Sequence, residues 1–190
     1  MTPNLILLCG TARSGKSTAS ALLASAFEEA GQRAVEAPLA IFVKLELASI
    51  LGVSVEAQEG HRDVWRPIWQ FWGTEVRRNL FGASYWLKQW EQARRSRLEP
   101  GHVIVPDVRF ANEFEFFSLY AQRHGFRERR LWVRRDAQWE AEQARLATAS
   151  HVSEQDWRSS IGRHVVLYNN GAPRKLREQC ERLVRDWMRE

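Results

Sequence analysis

An α/β fold is predicted by three features of the sequence. Short apolar runs alternate with longer helical patterns along the chain, as is typical of parallel strands joined by helical crossovers. The first apolar run, residues 4–9, is unbroken, as expected for a strand covered on both faces. The length of 190 residues is that of one domain. We therefore expect a single domain, residues 1–190, in which a roughly five-stranded parallel sheet lies between two helical layers.

The elements follow from the apolar periodicity and from the glycine and proline residues between them. Strands are predicted at 4–9, 33–37, 102–105, 130–134 and 164–168. Helices are predicted at 16–30, 40–51, 67–81, 84–98, 111–123, 135–150 and after Gly171. In the helix at 67–81, apolar residues recur every fourth position from Ile68 to Leu80, and Pro67 is placed in its first turn. The last helix should bury apolar residues from Leu176 to Trp187.

Composition indicates a soluble globular protein, with 44% hydrophobic and 27% charged residues. No window holds the 18 or more apolar residues of a spanning helix, and no signal peptide begins the sequence. We therefore expect a cytoplasmic protein without a membrane partner. Cys9 and Cys180 follow no metal or redox spacing, so we expect both to be buried in a reducing compartment.

The net charge is +5, carried by 24 arginines against four lysines. Arginine forks match phosphate oxygens, so this bias suits a phosphorylated substrate, although genome composition could also produce it. A basic protein could bind nucleic acid. Here the basic residues are dispersed and no nucleic-acid module is recognisable, so we expect no stable nucleic-acid binding.

Residues 10–17 read Gly-Thr-Ala-Arg-Ser-Gly-Lys-Ser and match the Walker A motif in full. The motif follows a predicted strand and opens a predicted helix, where backbone N–H groups can cradle phosphates. Lys16 should reach the β- and γ-phosphates and Ser17 should hold Mg²⁺, so ATP and Mg²⁺ are the predicted cofactors. The predicted ATP-binding residues are Gly10, Thr11, Ala12, Arg13, Ser14, Gly15, Lys16, Ser17 and Thr18.

A second strand ends in a carboxylate, at Asp107. Asp107 could hold Mg²⁺ beside the phosphate loop or accept a proton, and Arg109 could bridge the phosphates of donor and acceptor. Arg13, inside the loop, could also reach phosphate. We treat Lys16, Arg13, Asp107 and Arg109 as candidate catalytic residues. A turn-capping aspartate, a salt-bridged arginine and a solvated loop arginine are the structural alternatives.

Four blocks together resemble the phage-type deoxynucleoside monophosphate kinases. They are residues 10–17, Gln-Phe-Trp-Gly-Thr-Glu-Val-Arg-Arg at 70–78, Asp-Val-Arg-Phe-Ala-Asn-Glu at 107–113 and His-Val-Ser-Glu at 151–154. They span nearly the whole chain in order. Ala111 departs from the pattern, because the family commonly has proline there.

The resemblance implies transfer of the ATP γ-phosphoryl group to a deoxynucleoside 5′-monophosphate. In that picture Arg77 or Arg78, with Arg109, grips the acceptor phosphate. The acceptor site lies in a helical region at about 40–98, and its nucleoside-binding candidates are Gln70, Trp72 and Glu75. Trp72 is equally explained as a core residue, and the stripe of Gln70, Thr74 and Arg77 as a solvated face.

Such kinases carry a mobile helical lid, and the resemblance places it at about 135–150. Arg134 and Arg145 are the lid arginines that could reach the phosphates. By analogy with the fold, residues 169–172, which include Asn170 and Gly171, lie near the ATP adenine. The partners expected are small-molecule nucleotides, and homodimer formation is left open.

Two other functions remain open from the sequence. The same chemistry could act on another phosphorylated acceptor, as in phosphomevalonate or dephospho-coenzyme A kinases, which share the phosphate loop and the arginines. A nucleic-acid-associated P-loop ATPase belongs to a different class, and a strong salt dependence of DNA binding would distinguish it.

Overall fold

Five strands form one parallel sheet in the part of the chain that the computed structural model describes, which is residues 2–95, 101–137 and 161–190. The strands are β1 (Asn4–Cys9), β2 (Ala34–Glu36), β3 (His102–Val105), β4 (Arg127–Arg134) and β5 (Val165–Tyr168). Their order in the sheet is β2-β3-β1-β4-β5, and every neighbouring pair is parallel. The predicted α/β fold with five parallel strands is therefore confirmed.

Helices occupy most of the remaining described residues. They are α1 (Lys16–Glu29), α2 (Ala40–Leu51), α3 (Val55–Gly60), α4 (Arg62–Phe71), α5 (Asn79–Phe81), α6 (Tyr85–Arg95), α7 (Ala111–His124) and α8 (Pro173–Trp187), with a π-helix at Trp72–Arg78 between α4 and α5. Most of the predicted lid helix, residues 138–150, lies outside the described residues, as do Arg145 and the block at 151–154.

The chain divides into two compact units. The first consists of Met1–Ala37 and Glu99–Glu190 and contains the sheet with α1, α7 and α8. The second, Pro38–Leu98, contains α2 to α6 and the π-helix. The predicted acceptor region at about 40–98 coincides with the second unit.

The core of the first unit is formed by buried strand side chains, which point alternately to the two faces of the sheet. Ile6 and Leu8 face α1 and α8 in a buried cluster, so the residues between them face the other side of the sheet. On that other side, the Arg130 guanidinium donates to the hydroxyl of Ser118 on α7. The sheet thus lies between two helical layers, because both faces of its central strands are apolar.

The two cysteines are buried free thiols, as predicted. Cys9 ends β1, and Cys180 lies on α8. Burial raises the pKa of the Cys180 thiol to about 12 and raises that of Cys9 as well. Both thiols are therefore protonated at neutral pH and behave as small apolar side chains.

The helix predicted at 67–81 differs from the structure. It begins earlier, at Arg62, and Pro67 lies in the interior of α4 instead of in a first turn. From Trp72 the backbone changes to π-helical bonding, in which each turn takes more residues. The predicted apolar stripe is consequently not buried along its length, since Ile68 is 38% exposed and Leu80 is 73% exposed.

The core of the second unit is small and aromatic. Val43, Leu47 and Trp86 are buried, and four partly buried side chains pack against them: Phe42, Trp69, Trp72 and Tyr85. The indole of Trp86 donates to the carbonyl oxygen of Gly73 at 2.9 Å, which ties α6 to the π-helix. Among the described helices, none has the length and apolarity needed to cross a membrane.

Candidate active site

The Walker A segment forms a loop between the carboxyl end of β1 and the amino end of α1. Gly10 and Gly15 have φ values of 141° and 101°, which side chains rarely adopt. A Cβ on Gly10 would lie 2.4 Å from the carbonyl oxygen of Val133, and one on Gly15 would lie 2.3 Å from the side-chain nitrogen of Asn169. Both glycines are therefore required by this loop. Arg13 also has a positive φ, of 61°, and is exposed.

Lys16 reaches back over the loop that precedes it. Its ammonium group donates to the carbonyl oxygens of Gly10 at 2.8 Å and Thr11 at 2.7 Å. Thr11 and Ser14 are buried, whereas Ser17 and Thr18 are exposed in the first turn of α1. The first N–H groups of a helix have no intrahelical partners, so this turn offers donors and partial positive charge to an anion.

The end of β3 lies at the same edge of the sheet, because Leu7 of β1 is in register with Val105. The chain continues through Pro106 to Asp107, and the N–H of Val108 donates to the carbonyl oxygen of Leu8 at 3.2 Å. Asp107 is half-buried. The structure therefore brings the predicted acidic residue to the strand end next to the phosphate loop.

Glu113 holds the turn that carries Arg109. Its carboxylate is buried and accepts from the N–H groups of Arg109 at 2.6 Å and Phe110 at 3.1 Å. Arg109 itself is half-buried. The glutamate that ends the block at 107–113 thus has a structural role, which is to cap the first turn of α7.

Arg134 ends β4 at the same edge. Its Nε donates to the carboxylate of Asp136 at 2.6 Å, and its guanidinium carbon lies 5.4 Å from the centre of the Trp132 ring. The predicted lid arginine is therefore held in an ion pair at the start of the segment that follows β4.

The turn after β5, which was predicted to lie near the ATP adenine, contacts the phosphate loop. The side-chain amide of Asn169 donates to the carbonyl oxygen of Ser14 at 2.9 Å, inside the phosphate loop. Asn170, predicted to lie near adenine, accepts from the N–H of Asp136 at 2.7 Å and donates to the Asp136 carboxylate. The sequence placed this turn at the site only by analogy with the fold and gave no indication of the contact with Ser14.

In the second unit, Arg77 lies in a cage of three aromatic rings and one carboxylate. Its guanidinium carbon is 5.2 Å from the ring centre of Trp72, 4.8 Å from that of Phe81 and 5.3 Å from that of Tyr85. The guanidinium forms a salt bridge with Glu46, whose carboxylate also accepts from the Trp72 indole at 3.3 Å and the Tyr85 hydroxyl at 3.4 Å.

Of the other predicted acceptor residues, Glu75 and Arg78 lie in the π-helix and Gln70 lies in the last turn of α4. Arg78 donates to the carbonyl oxygen of Ala83 at 3.0 Å. Glu75 is exposed and accepts from the side-chain amide of Asn79 at 2.7 Å, and Gln70 is half-buried. Their assignment to an acceptor site stays a prediction.

Ser17 and Asp107 carry the oxygen donors that a hydrated Mg²⁺ bound with a nucleotide would need. The described residues contain no group of three or more His, Cys, Asp or Glu side chains that could hold a metal ion. Mg²⁺ usually keeps several waters and takes one or two protein ligands plus phosphate oxygens. The hydroxyl of Ser17 and the carboxylate of Asp107 match that donor set.

Three solved structures share the fold along nearly their whole length. The Mycobacterium tuberculosis APS kinase CysC in complex with AMPPNP and APS is 14% identical, with a TM-score of 0.55 over 100% of this chain and 99% of that chain. A cysteine-to-alanine mutant of the same kinase is 13% identical, with a TM-score of 0.54 and the same coverage. A candidate kinase from Chloroflexus aurantiacus is 16% identical, with a TM-score of 0.56 over 99% of this chain and 97% of that chain.

At the level of sequence, no protein-family model matches the chain, and no curated protein does either. Identities of 13 to 16% establish the fold alone. Together with the strand order and the phosphate loop, they show that the chain has a P-loop kinase-like fold.

Proposed function

We propose that this chain is an ATP-dependent phosphotransferase that moves the γ-phosphoryl group of ATP to a deoxynucleoside 5′-monophosphate, giving the diphosphate and ADP. The observation that carries this proposal is the complete Walker A loop, Gly10–Ser17, between a buried strand and the amino end of α1. Such a loop presents N–H donors and a lysine to a triphosphate, and phosphoryl transfer depends mainly on positioning and on electrostatic stabilisation.

Lys16 supplies the mobile positive charge. Its two carbonyl partners, on Gly10 and Thr11, are neutral acceptors. Phosphate oxygens are charged and form stronger hydrogen bonds with an ammonium group. Lys16 would therefore exchange these carbonyls for the β- and γ-phosphate oxygens, where it stabilises the charge that develops during transfer.

Mg²⁺ would neutralise charge on the β- and γ-phosphates when bound, and Ser17 with Asp107 would hold it. The Asp107 carboxylate lies at the end of β3, and the following turn is fixed by Glu113 through the N–H of Arg109. This contact holds the backbone of Arg109, from which the guanidinium would reach phosphate. Arg13 is exposed in the phosphate loop and would also contact phosphate.

The choice of a deoxynucleotide acceptor rests on the resemblance of four sequence blocks to the phage-type kinases. It assigns Gln70, Trp72, Glu75 and either Arg77 or Arg78 to the acceptor. Arg134 and Arg145 would act from the segment after β4, and Asn170 and Gly171 would lie near adenine. These assignments are part of the proposal.

A second candidate is the same transfer to another small phosphorylated acceptor. This candidate is supported by the fold similarity to an APS kinase that was solved with AMPPNP and APS. The Gly-Thr-Glu-Val-Arg-Arg sequence at 73–78 favours the deoxynucleotide.

The test is to follow ADP formation with ATP and Mg²⁺ while the acceptor is varied. The acceptors are the four deoxynucleoside monophosphates, the four ribonucleoside monophosphates and APS, and one reaction contains no acceptor. Each reaction is run with wild type and with Lys16→Ala. We expect turnover that requires both a deoxynucleotide and Lys16. Turnover with APS alone would move the assignment to the second candidate. ADP formation that is independent of any acceptor, or stimulated by DNA, would overturn the kinase proposal.

A further inference from the structure

We propose that Asn169 is a positioning residue for the phosphate loop, acting through the peptide group between Ser14 and Gly15. The inference rests on the proposed function, because it concerns ATP binding by that loop. It is carried by one contact between distant parts of the chain: the Asn169 side-chain amide donates to the Ser14 carbonyl oxygen at 2.9 Å.

The geometry of the peptide group gives this contact its effect. In a trans peptide the C=O and N–H bonds point in opposite directions within one plane. A donor that holds the carbonyl oxygen of Ser14 on one side therefore directs the N–H of Gly15 to the other side. Gly15 precedes the first residue of α1, so its N–H belongs to the group of donors that a bound phosphate would meet.

Asn169 is itself held firmly, so it can act as a fixed point. Its backbone N–H donates to the carbonyl oxygen of Arg134 at 2.8 Å, which joins the turn to the end of β4. The next residue, Asn170, binds both the backbone and the carboxylate of Asp136. The turn after β5 is thus attached to β4 on one side and to the phosphate loop on the other.

The close approach also accounts for Gly15. A Cβ at Gly15 would lie 2.3 Å from the Asn169 side-chain nitrogen, so only glycine lets the asparagine reach the Ser14 carbonyl. A loop fixed in its binding conformation before ATP arrives loses less conformational entropy on binding. Loss of the Asn169 amide should therefore weaken ATP binding more than it weakens the fold.

The test compares Asn169→Ala with Gln179→Ala. Gln179 makes a matched control because its side chain bonds the N–H and the carbonyl of Tyr168, the neighbour of Asn169, and makes no described contact with the phosphate loop. The dissociation constant of ATP is measured by calorimetry in the presence of Mg²⁺ and without acceptor. Melting temperatures are measured in parallel. We expect affinity to fall by about tenfold in Asn169→Ala, the loss of one hydrogen bond, and by less than about twofold in Gln179→Ala.

Asn169→Asp adds a readout that a merely structural role would not move. Its ionised carboxylate can only accept and would face the Ser14 carbonyl oxygen, whereas its protonated form can donate as the amide does. The ratio of its ATP dissociation constant to that of wild type should therefore fall as the pH is lowered from about 7 to about 4, toward the unperturbed aspartic acid pKa of about 3.9. This variant also keeps the inference testable if Asn169→Ala does not fold.

The outcomes separate the two proposals. If wild type binds no ATP, the proposed function fails. If wild type binds ATP and Lys16→Ala binds it weakly, but Asn169→Ala binds as wild type and the Asn169→Asp ratio is independent of pH, only the role of Asn169 is overturned.

Discussion

Arg77 and Glu46 form an ion pair that is enclosed by the rings of Trp72, Phe81 and Tyr85. The side chains of the pair are 20% and 19% exposed, so their charges are largely removed from water. Removing one partner of such a pair leaves the other charge poorly compensated. A residue proposed to grip the acceptor phosphate therefore also stabilises the second unit.

Both roles of Arg77 can be measured in one set of variants. Arg77→Met should raise the KM for the acceptor at least about tenfold, as expected for loss of a charged contact, and lower the free energy of unfolding by about 2 kcal/mol. Adding Glu46→Gln removes the unpaired charge, keeps one oxygen that can accept from the Trp72 indole and places an amide NH₂ that can donate to the Tyr85 hydroxyl. We expect the double variant to regain stability but to keep the raised KM, in urea unfolding and steady-state assays. Recovery of both quantities together would show that Arg77 acts only on the fold.

His102 should make stability depend on pH. It is buried, its Nδ1 accepts from the backbone N–H of Asn4 at 2.9 Å, and its ring stacks on Phe27 at 4.0 Å. Burial lowers the pKa of His102. The unfolded chain therefore binds more protons than the folded chain near and below the unperturbed pKa of about 6.5, so stability falls as the pH falls through that range.

We expect the free energy of unfolding of wild type to decrease between pH 7 and 5, with a contribution from His102 of at most about 1.4 kcal/mol per pH unit. His102→Asn cannot titrate, and it keeps an oxygen that can accept from Asn4. The measurement is urea unfolding at several pH values, reported as the difference between the two proteins. A difference that does not change with pH would contradict this role.

Gly10 should tolerate alanine much less well than Gly31. Both have positive φ, of 141° and 71°, so alanine is strained at both; the left-handed region that Gly31 occupies costs about 1–2 kcal/mol, and Gly10 lies outside that region. A Cβ at Gly31 meets nothing within 4 Å, whereas one at Gly10 lies 2.4 Å from the backbone oxygen of Val133. We expect Gly10→Ala to cost at least about 2 kcal/mol more than Gly31→Ala in chemical denaturation, as overpacking against backbone usually does. Equal costs would mean that the loop moves freely away from β4.

Gln58 should be a key polar residue of the second unit. It is fully buried, donates to the carbonyl oxygens of Lys44 and Val53 at 3.0 Å each, and accepts from the Trp69 indole at 2.8 Å. Gln58→Met preserves the volume but leaves these groups without their partner. We expect a loss of about 3 kcal/mol, at roughly 1 kcal/mol for each bond. The exposed Gln92→Met is the matched control, and a loss no greater than that of this control would refute the role.

The sequence predicted the parts of the fold in which local pattern and burial agree. Residues 4–9 form a buried strand, and a helix begins directly after the Walker A glycine, as the motif required. The pattern failed at Pro67 and Trp72, since a proline inside a helix and a change to π-helical bonding depend on tertiary packing that periodicity does not encode. Sequence spacing also gave no indication that Glu46 pairs with Arg77, 31 residues away.

The phosphate loop was predictable because its function dictates its sequence. Asp107 was predictable because an apolar strand of a parallel sheet must end at the same edge as β1. The contact of Asn169 with Ser14 was not predicted, since it joins positions 155 residues apart and involves a backbone oxygen, which leaves no sequence signature. The pairing of Asn170 with Asp136 was not predicted either, because it also joins distant positions of the chain.

The most direct test of the kinase proposal is to follow the γ-phosphate of ATP itself. The protein is incubated with γ-labelled ATP, Mg²⁺ and the four deoxynucleoside monophosphates, and the products are separated by chromatography, with Lys16→Ala as the parallel reaction. We predict label in a deoxynucleoside diphosphate for wild type and a loss of at least about a hundredfold in rate for Lys16→Ala, comparable to removal of one preorganised stabilising donor. Label that appears only in inorganic phosphate, or a rate that Lys16→Ala leaves unchanged, would contradict the proposal.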